Sequence, residues 1–200
     1  MYTITILKQE MNCMVLHDID IREPLFLYLE NLHNKVRFLE EKTIGRARAD
    51  IVMILPDKVC GIEIKSDADS YTRLPSQIHW YDRFFDENYI VVGSTHVSHA
   101  HKHVPDYWGI ISVEYYKGHF DFLKVRNAAP NCKSDIRYKM SMLWRKELKN
   151  MIIRNELRGY SKPKSKMIDR LIERVPKNEL QKQISYELFE RDYTVFCDMK

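Results

Sequence analysis

Three side chains stand out by type and spacing: Asp50, Glu63 and Lys65. Glu63 and Lys65 are two residues apart, so on a strand both leave the same face, while Ile62 and Ile64 leave the other toward a core. Glu-x-Lys alone is a weak signal, because many solvent-facing strands carry it. Asp50 strengthens it. It precedes the apolar run Ile51, Val52, Met53, Ile54, Leu55, and a second run, Val59 to Lys65, follows turn chemistry at Pro56, Asp57 and Lys58. Read as an antiparallel hairpin, this puts residue 50 opposite residue 63 or 64, and two carboxylates and an ammonium share one end. Like charges so placed repel unless something neutralises them, and a divalent cation with oxygen ligands is the natural counter-ion. Lys65 would stabilise charge or orient the attacking water. Asp57, the other acid between the two runs, is too far to join these groups: at about 3.3 Å per residue it lies roughly 20 Å along the strand from Glu63 and reads as turn chemistry.

Gln77 and Tyr81 are four apart in a stretch, 73–85, with helical periodicity at Leu74, Ile78, Tyr81 and Phe85, so amide and phenol share a face. Both can hydrogen-bond a phosphate or a metal-bound water. Standing alone, the same stretch would read as an amphipathic helix with Tyr81 as core filler.

Asp50, Glu63-x-Lys65 and Gln77-x-x-x-Tyr81, in that order, resemble the PD-(D/E)xK nuclease superfamily in its RecB-like branch with a Q-x-x-x-Y helix. The stretches around Gly45–Ile51, Gly61–Asp67, Arg73–Gln77, Val91–His96 and Pro105–Gly109 are similar to a bacterial and phage group within it, and the resemblance covers roughly residues 20 to 115. It implies a mixed central sheet flanked by helices. Asp50, Glu63 and the main-chain carbonyl of Ile64 would hold Mg²⁺ or Mn²⁺, Lys65 would place the water, and Gln77 and Tyr81 would shape the phosphate site. The implied product ends are a 5′-phosphate and a 3′-hydroxyl. The family's upstream acid is ambiguous here among Glu23, Glu30, Glu40 and Glu41, and the reading leans to Glu41.

The elements that must position these groups are mixed up to about Arg126. A helix is expected over 21–33, opened by a capping box of Asp20 and Glu23 with Pro24 in its first turn. A strand is expected near Val36 and Phe38, a buried strand over 89–93, and a hairpin over 110–125 turning at Lys117 and Gly118. Residues 127–131 read as a linker. Helices then follow over 136–157, over 164–175 and after Pro176. The fold class is therefore α/β, with a nuclease-like core over 1–130 and an all-helical extension over 131–200.

That extension is the basic part of the chain, although the net charge over 200 residues is only +4. Its stretch from Leu157 to Leu171 loosely resembles a SAP-type helix–turn–helix module for DNA, against the plainer readings of a helical bundle on the core or a dimer contact. Lys162, Lys164 and Lys166 would then be sequence-blind phosphate contacts, and removing the extension would weaken DNA binding while sparing the metal site. Arg46, Arg48, Arg73 and His96 are further candidates for nucleic-acid contact. Arg46 and Arg48 could equally pair with nearby acids, and Arg73 could cover a helix end. Asp67 and Asp69 read as caps for the next helix rather than ligands of a second metal.

His96, His99, His101 and His103 do not face one way on a helix and have no thiol pair beside them, which argues against zinc. Ser98 and Asp106 lack a nucleophile elbow for a hydrolase triad. The four cysteines, Cys13, Cys60, Cys132 and Cys197, form no C-x-x-C pair and no disulfide framework. No apolar run approaches the roughly 18 residues of a membrane span, and 44% hydrophobic with 30% charged residues is ordinary for a globular protein. The expected protein is cytoplasmic, acts on nucleic acid with DNA favoured, and has no membrane partner; a homodimer is left open, as is the choice between endo- and exonuclease action.

Overall fold

The computed structural model describes residues 16–158 and 161–192. Gly159 and Tyr160, within the SAP-like stretch, and Cys13 and Cys197 lie outside them.

Six strands form one sheet in sequence order: β1 (Arg37–Ile44), β2 (Ala47–Ile54), β3 (Val59–Lys65), β4 (Glu87–Gly93), β5 (Gly109–Tyr116) and β6 (His119–Arg126). β1, β2 and β3 are antiparallel, β3, β4 and β5 run parallel, and β6 returns antiparallel. The β5–β6 hairpin turns at Lys117 and Gly118, both with positive φ (48° and 86°), the backbone that two-residue hairpin loops require. The central strands β2, β3 and β4 are buried on both faces over most of their length, which explains why they read as nearly unbroken apolar runs, whereas β6 at the edge is largely exposed.

Helix α1 (Asp18–Leu32) covers one face with Ile21, Leu25 and Leu29, packed on Ile51, Met53, Ile62 and Ile64. Helix α2 (Leu74–Phe84) lies on the other face, where Tyr81, Phe84 and Phe85 join Val52, Ile54, Ile90 and Val92. A short helix, α3 (Val97–Ala100), follows β4. The tail forms α4 (Ile136–Ser141), α5 (Arg145–Arg154), α6 (Lys164–Arg174) and α7 (Lys177–Phe189). Their apolar faces enter the same core as α2: Met140, Leu148, Met151, Leu171 and Leu188 pack in one cluster with the sheet.

Two boundaries differ from the sequence reading. α1 starts one turn earlier than expected, because Asp20 reaches back to the His17 N–H (2.9 Å) instead of forward. Pro24 therefore falls inside the helix rather than in its first turn. The helix expected over 136–157 is two helices. Glu147 accepts the Trp144 N–H at 2.6 Å and so starts α5 afresh, while Met142 and Leu143 between the two are buried.

Candidate functional site

The β2–β3 ladder ends at the pair Ile51 and Ile62, and continuing that register sets Asp50 opposite Glu63. Here side chains take over from the backbone. Asp50 Oδ2 accepts the Ile64 N–H at 2.8 Å, and the Asp50 N–H donates to the Tyr81 hydroxyl at 3.3 Å. On the other side, β1 and β2 pair Glu40 with Ile51 and Lys42 with Ala49, so Glu41 falls opposite Asp50. Glu41, Asp50 and Glu63 thus form a row across three strands.

Glu63 is 1% exposed, a position no free carboxylate tolerates without partners. It accepts from Lys65 Nζ, from the Gln77 amide and from the Tyr81 hydroxyl, the last at 2.7 Å. Gln77 and Tyr81 reach it from α2, which packs mainly over the neighbouring β2. Gly61 permits that approach: a Cβ there would sit 2.2 Å from Phe85 and 2.7 Å from Tyr81. Burial first, and the neighbouring Glu63 second, push the Asp50 carboxyl up to about 8, against the downward pull of the Ile64 N–H. Burial likewise holds the Tyr81 phenol well above its usual range, so it stays a donor to Glu63.

Asp50 also belongs to a second group. Oxygens of Asp18, Glu41 and Asp50 lie within 4.8 Å of one another. Glu41 has φ 53°, left-handed backbone inside a strand, a strained conformation that marks functional positions often enough to note. Arg22, 6% exposed, sits among these acids. It donates to both oxygens of Asp18 (3.1 and 2.6 Å), to Glu40 (3.1 Å) and to Glu41. Arg48 pairs with the other Glu41 oxygen at 2.5 Å.

Asp18 was not among the candidate acids, yet a signal exists. Asp18, Ile21, Arg22, Leu25 and Leu29 recur at helical spacing, so Asp18 and Arg22 extend the buried stripe of α1. Of the acids that were candidates, Glu41 joins the group, Glu40 touches it through Arg22, and Glu23 and Glu30 are exposed elsewhere on α1. Ile64 enters through its N–H, with its side chain in the core on the α1 side. Asp57 is exposed in the turn at the far end of the hairpin.

The remaining candidates spread more widely. Arg46 is exposed in the β1–β2 turn, and Arg73 is exposed at the start of α2. His96 is half-buried, edge-on to Tyr71 with ring centroids 5.0 Å apart. Lys162 is exposed, Lys164 donates to the Ser141 carbonyl at 2.7 Å, and Lys166 lies 3.6 Å from Asp169. Lys164 is thus tied into the fold between α4 and α6. Asp67 and Asp69 do not cap α2. Asp69 accepts from Ser66, and Asp67 accepts from Thr95, bracing the loops after β3 and β4. Among the described residues the histidines of 96–103 form no metal-holding group, and Asp106 pairs with Arg126 at 3.8 Å rather than with a histidine. Cys60 and Cys132 are free thiols, and among the described residues no helix is long and apolar enough to cross a membrane.

The profile of the family described as bacteriophage P4 protein cII matches residues 23–199. The chain belongs to that family. No curated protein and no solved structure matches it. The span shared with the P4 cII family takes in Glu41, Asp50, Glu63, Lys65, Gln77, Tyr81 and the tail helices, and it begins one residue after Arg22.

Proposed function

We propose that this chain is a divalent-metal-dependent nuclease of the PD-(D/E)xK type, hydrolysing phosphodiesters and favouring DNA. One observation carries the reading: Asp50 and Glu63 face each other at one end of β2–β3, with Lys65 and the two polar residues of α2 converging on Glu63. The donor set fits a hard cation. Asp18, Glu41 and Asp50 offer carboxylate oxygens within 4.8 Å of one another, whereas Glu63, opposite Asp50 on β3, lies outside that group with its oxygens held by Lys65, Gln77 and Tyr81. Oxygen-only donors suit Mg²⁺ or Mn²⁺ rather than zinc. When bound, the cation acidifies a water and neutralises charge at the scissile phosphate.

The chain's own residues do the rest. Tyr81 and Gln77 fix the Glu63 carboxylate, and Tyr81 ties the Asp50 backbone to the same point. Lys65 holds its ammonium beside Glu63, where it can position the attacking water or stabilise the phosphate charge. Burial of Glu63 and Lys65 keeps bulk water from screening these charges.

A second reading is a protein that binds nucleic acid or a partner on this fold without cutting. It draws on Arg22 and Arg48, which already occupy the acids a cation would need. Incubation with plasmid, linear duplex and single-stranded DNA in Mg²⁺, Mn²⁺ or EDTA separates the two. Cleavage with either metal and none in EDTA is expected, with Asp50→Ala and Lys65→Ala each reducing the rate about 100-fold or more. Cleavage in EDTA, or cleavage indifferent to both substitutions, rules out the mechanism. Binding without cleavage in every metal favours the second reading.

A further inference from the structure

The arginines in the acid cluster are not equivalent. Arg22 is buried and divides its guanidinium among Asp18, Glu40 and Glu41, so it has nowhere else to go. Arg48 has a side chain 67% exposed, and among the described residues Glu41 is the acid it pairs with. Between them they engage both oxygens of Glu41, the residue whose left-handed backbone turns it out of the strand's alternation. A cation drawn to Asp18, Glu41 and Asp50 must take lone pairs from Glu41, and it repels the guanidinium next to it. Arg48 can leave at small cost because two-thirds of its side chain is already exposed. Once released it is a planar cation at the lip of the site, two residues from exposed Arg46 on the same strand end, and a phosphate is the group its fork matches best.

We propose that Arg48 is an exchange residue: it neutralises Glu41 in the free protein and moves to a phosphate of the bound strand when a divalent cation takes Glu41. Cation and nucleic acid then bind cooperatively, each by the same factor, since linkage is reciprocal. The site would stay poorly metallated until substrate arrives. This rests on the metal-site reading above and adds to it the order in which charges are traded.

Mn²⁺ binding measured by electron paramagnetic resonance of the free ion, with and without a cleavage-resistant phosphorothioate duplex, tests the exchange. In the wild-type protein the duplex is expected to tighten Mn²⁺ binding by about tenfold. In Arg48→Gln, Mn²⁺ alone should bind several-fold more tightly than to wild type, and the duplex should add little. The exchange is overturned if Arg48→Gln binds Mn²⁺ no better than wild type, or if the duplex tightens both proteins equally. Asp50→Asn distinguishes the deeper failure. If wild type binds no Mn²⁺, or Asp50→Asn binds it equally well, the metal site itself is wrong and the exchange falls with it.

Discussion

Tyr81 shows how much one hydroxyl can be asked to do. It lies 2.7 Å from a Glu63 oxygen and 3.1 Å from the Ile62 carbonyl, and it accepts the Asp50 N–H. Tyr81→Phe keeps the ring in the core but strips a donor from a buried carboxylate and orphans an N–H. A loss of about 1–3 kcal/mol in unfolding free energy is expected, the usual cost of leaving buried polar groups unpaired. Urea denaturation checks it; a loss under half a kilocalorie would mean water replaces the hydroxyl. Asp50 makes a prediction of opposite kind. Its carboxyl is raised from 3.8 to about 8, so across that window the folded protein holds a proton that the unfolded chain has lost. Stability of the metal-free protein from this group is therefore full below the unfolded value and declines as pH rises through the window. Melting temperatures between pH 5 and about 8 should fall in wild type and fall less in Asp50→Asn. Parallel pH profiles for the two proteins would show that Asp50 carries no such proton.

At the level of elements, the site is a hairpin with a helix laid across it, and the hairpin was legible because its logic is local. Two apolar runs and the Pro56, Asp57 turn set a register in which Asp50, not Asp57, meets Glu63. Ile54 pairs with Val59, as that reading requires. Asp18 was not legible in the same way. Its role depends on where α1 begins, and Asp20 moves that start back by a turn. The break between α4 and α5 escaped for a related reason: periodicity runs straight through 142–144. Glu147, which starts α5, is itself held by Arg191 from far along the chain, at 2.6 Å. Gly61 gives the element scale its test. Gly61→Ala would drive a methyl into Phe85 and Tyr81, and the end of α2 that carries them would have to lift from the sheet. Overpacking of this sort costs about 1–3 kcal/mol. Cleavage and Mn²⁺ binding should drop in protein that still melts cooperatively, because Gln77 and Tyr81 move with the helix. Full activity in a destabilised Gly61→Ala would mean that α2 does not position Glu63.

For the molecule as a whole, the sequence reading of a core followed by a basic extension needs restating in terms of packing. Residues 127–131, expected to be a linker, are pinned. The buried Asn131 side chain donates to the Asp82 and Phe85 carbonyls, both at 2.8 Å, and its N–H donates to the Asp86 carbonyl. Buried Lys139 on α4 then bonds Asp86 below and Gln181 on α7 above. Met140, Leu143, Leu148, Met151 and Ile152 belong to the same buried cluster as Val52, Tyr81 and Phe84. Removing them would expose the apolar side chains they cover, at about 1.5–3 kcal/mol for each one fully exposed, against a typical net domain stability of only about 5–15 kcal/mol. A fragment ending at residue 130 should therefore not fold. Near-ultraviolet circular dichroism should be lost, thermal melting should be broad, and Mn²⁺ binding should vanish together with the fold. This departs from the expectation that removing the tail only weakens nucleic-acid binding. If the fragment melts cooperatively and keeps its Mn²⁺ site while losing affinity for DNA, the helices are a separable binding module after all. The exposed lysines Lys162 and Lys166 give the complementary test, since they can be changed without touching the core. Neutralising both in the full chain should leave the melt unchanged, and any role they have on a phosphate backbone would appear as a shallower salt dependence of binding.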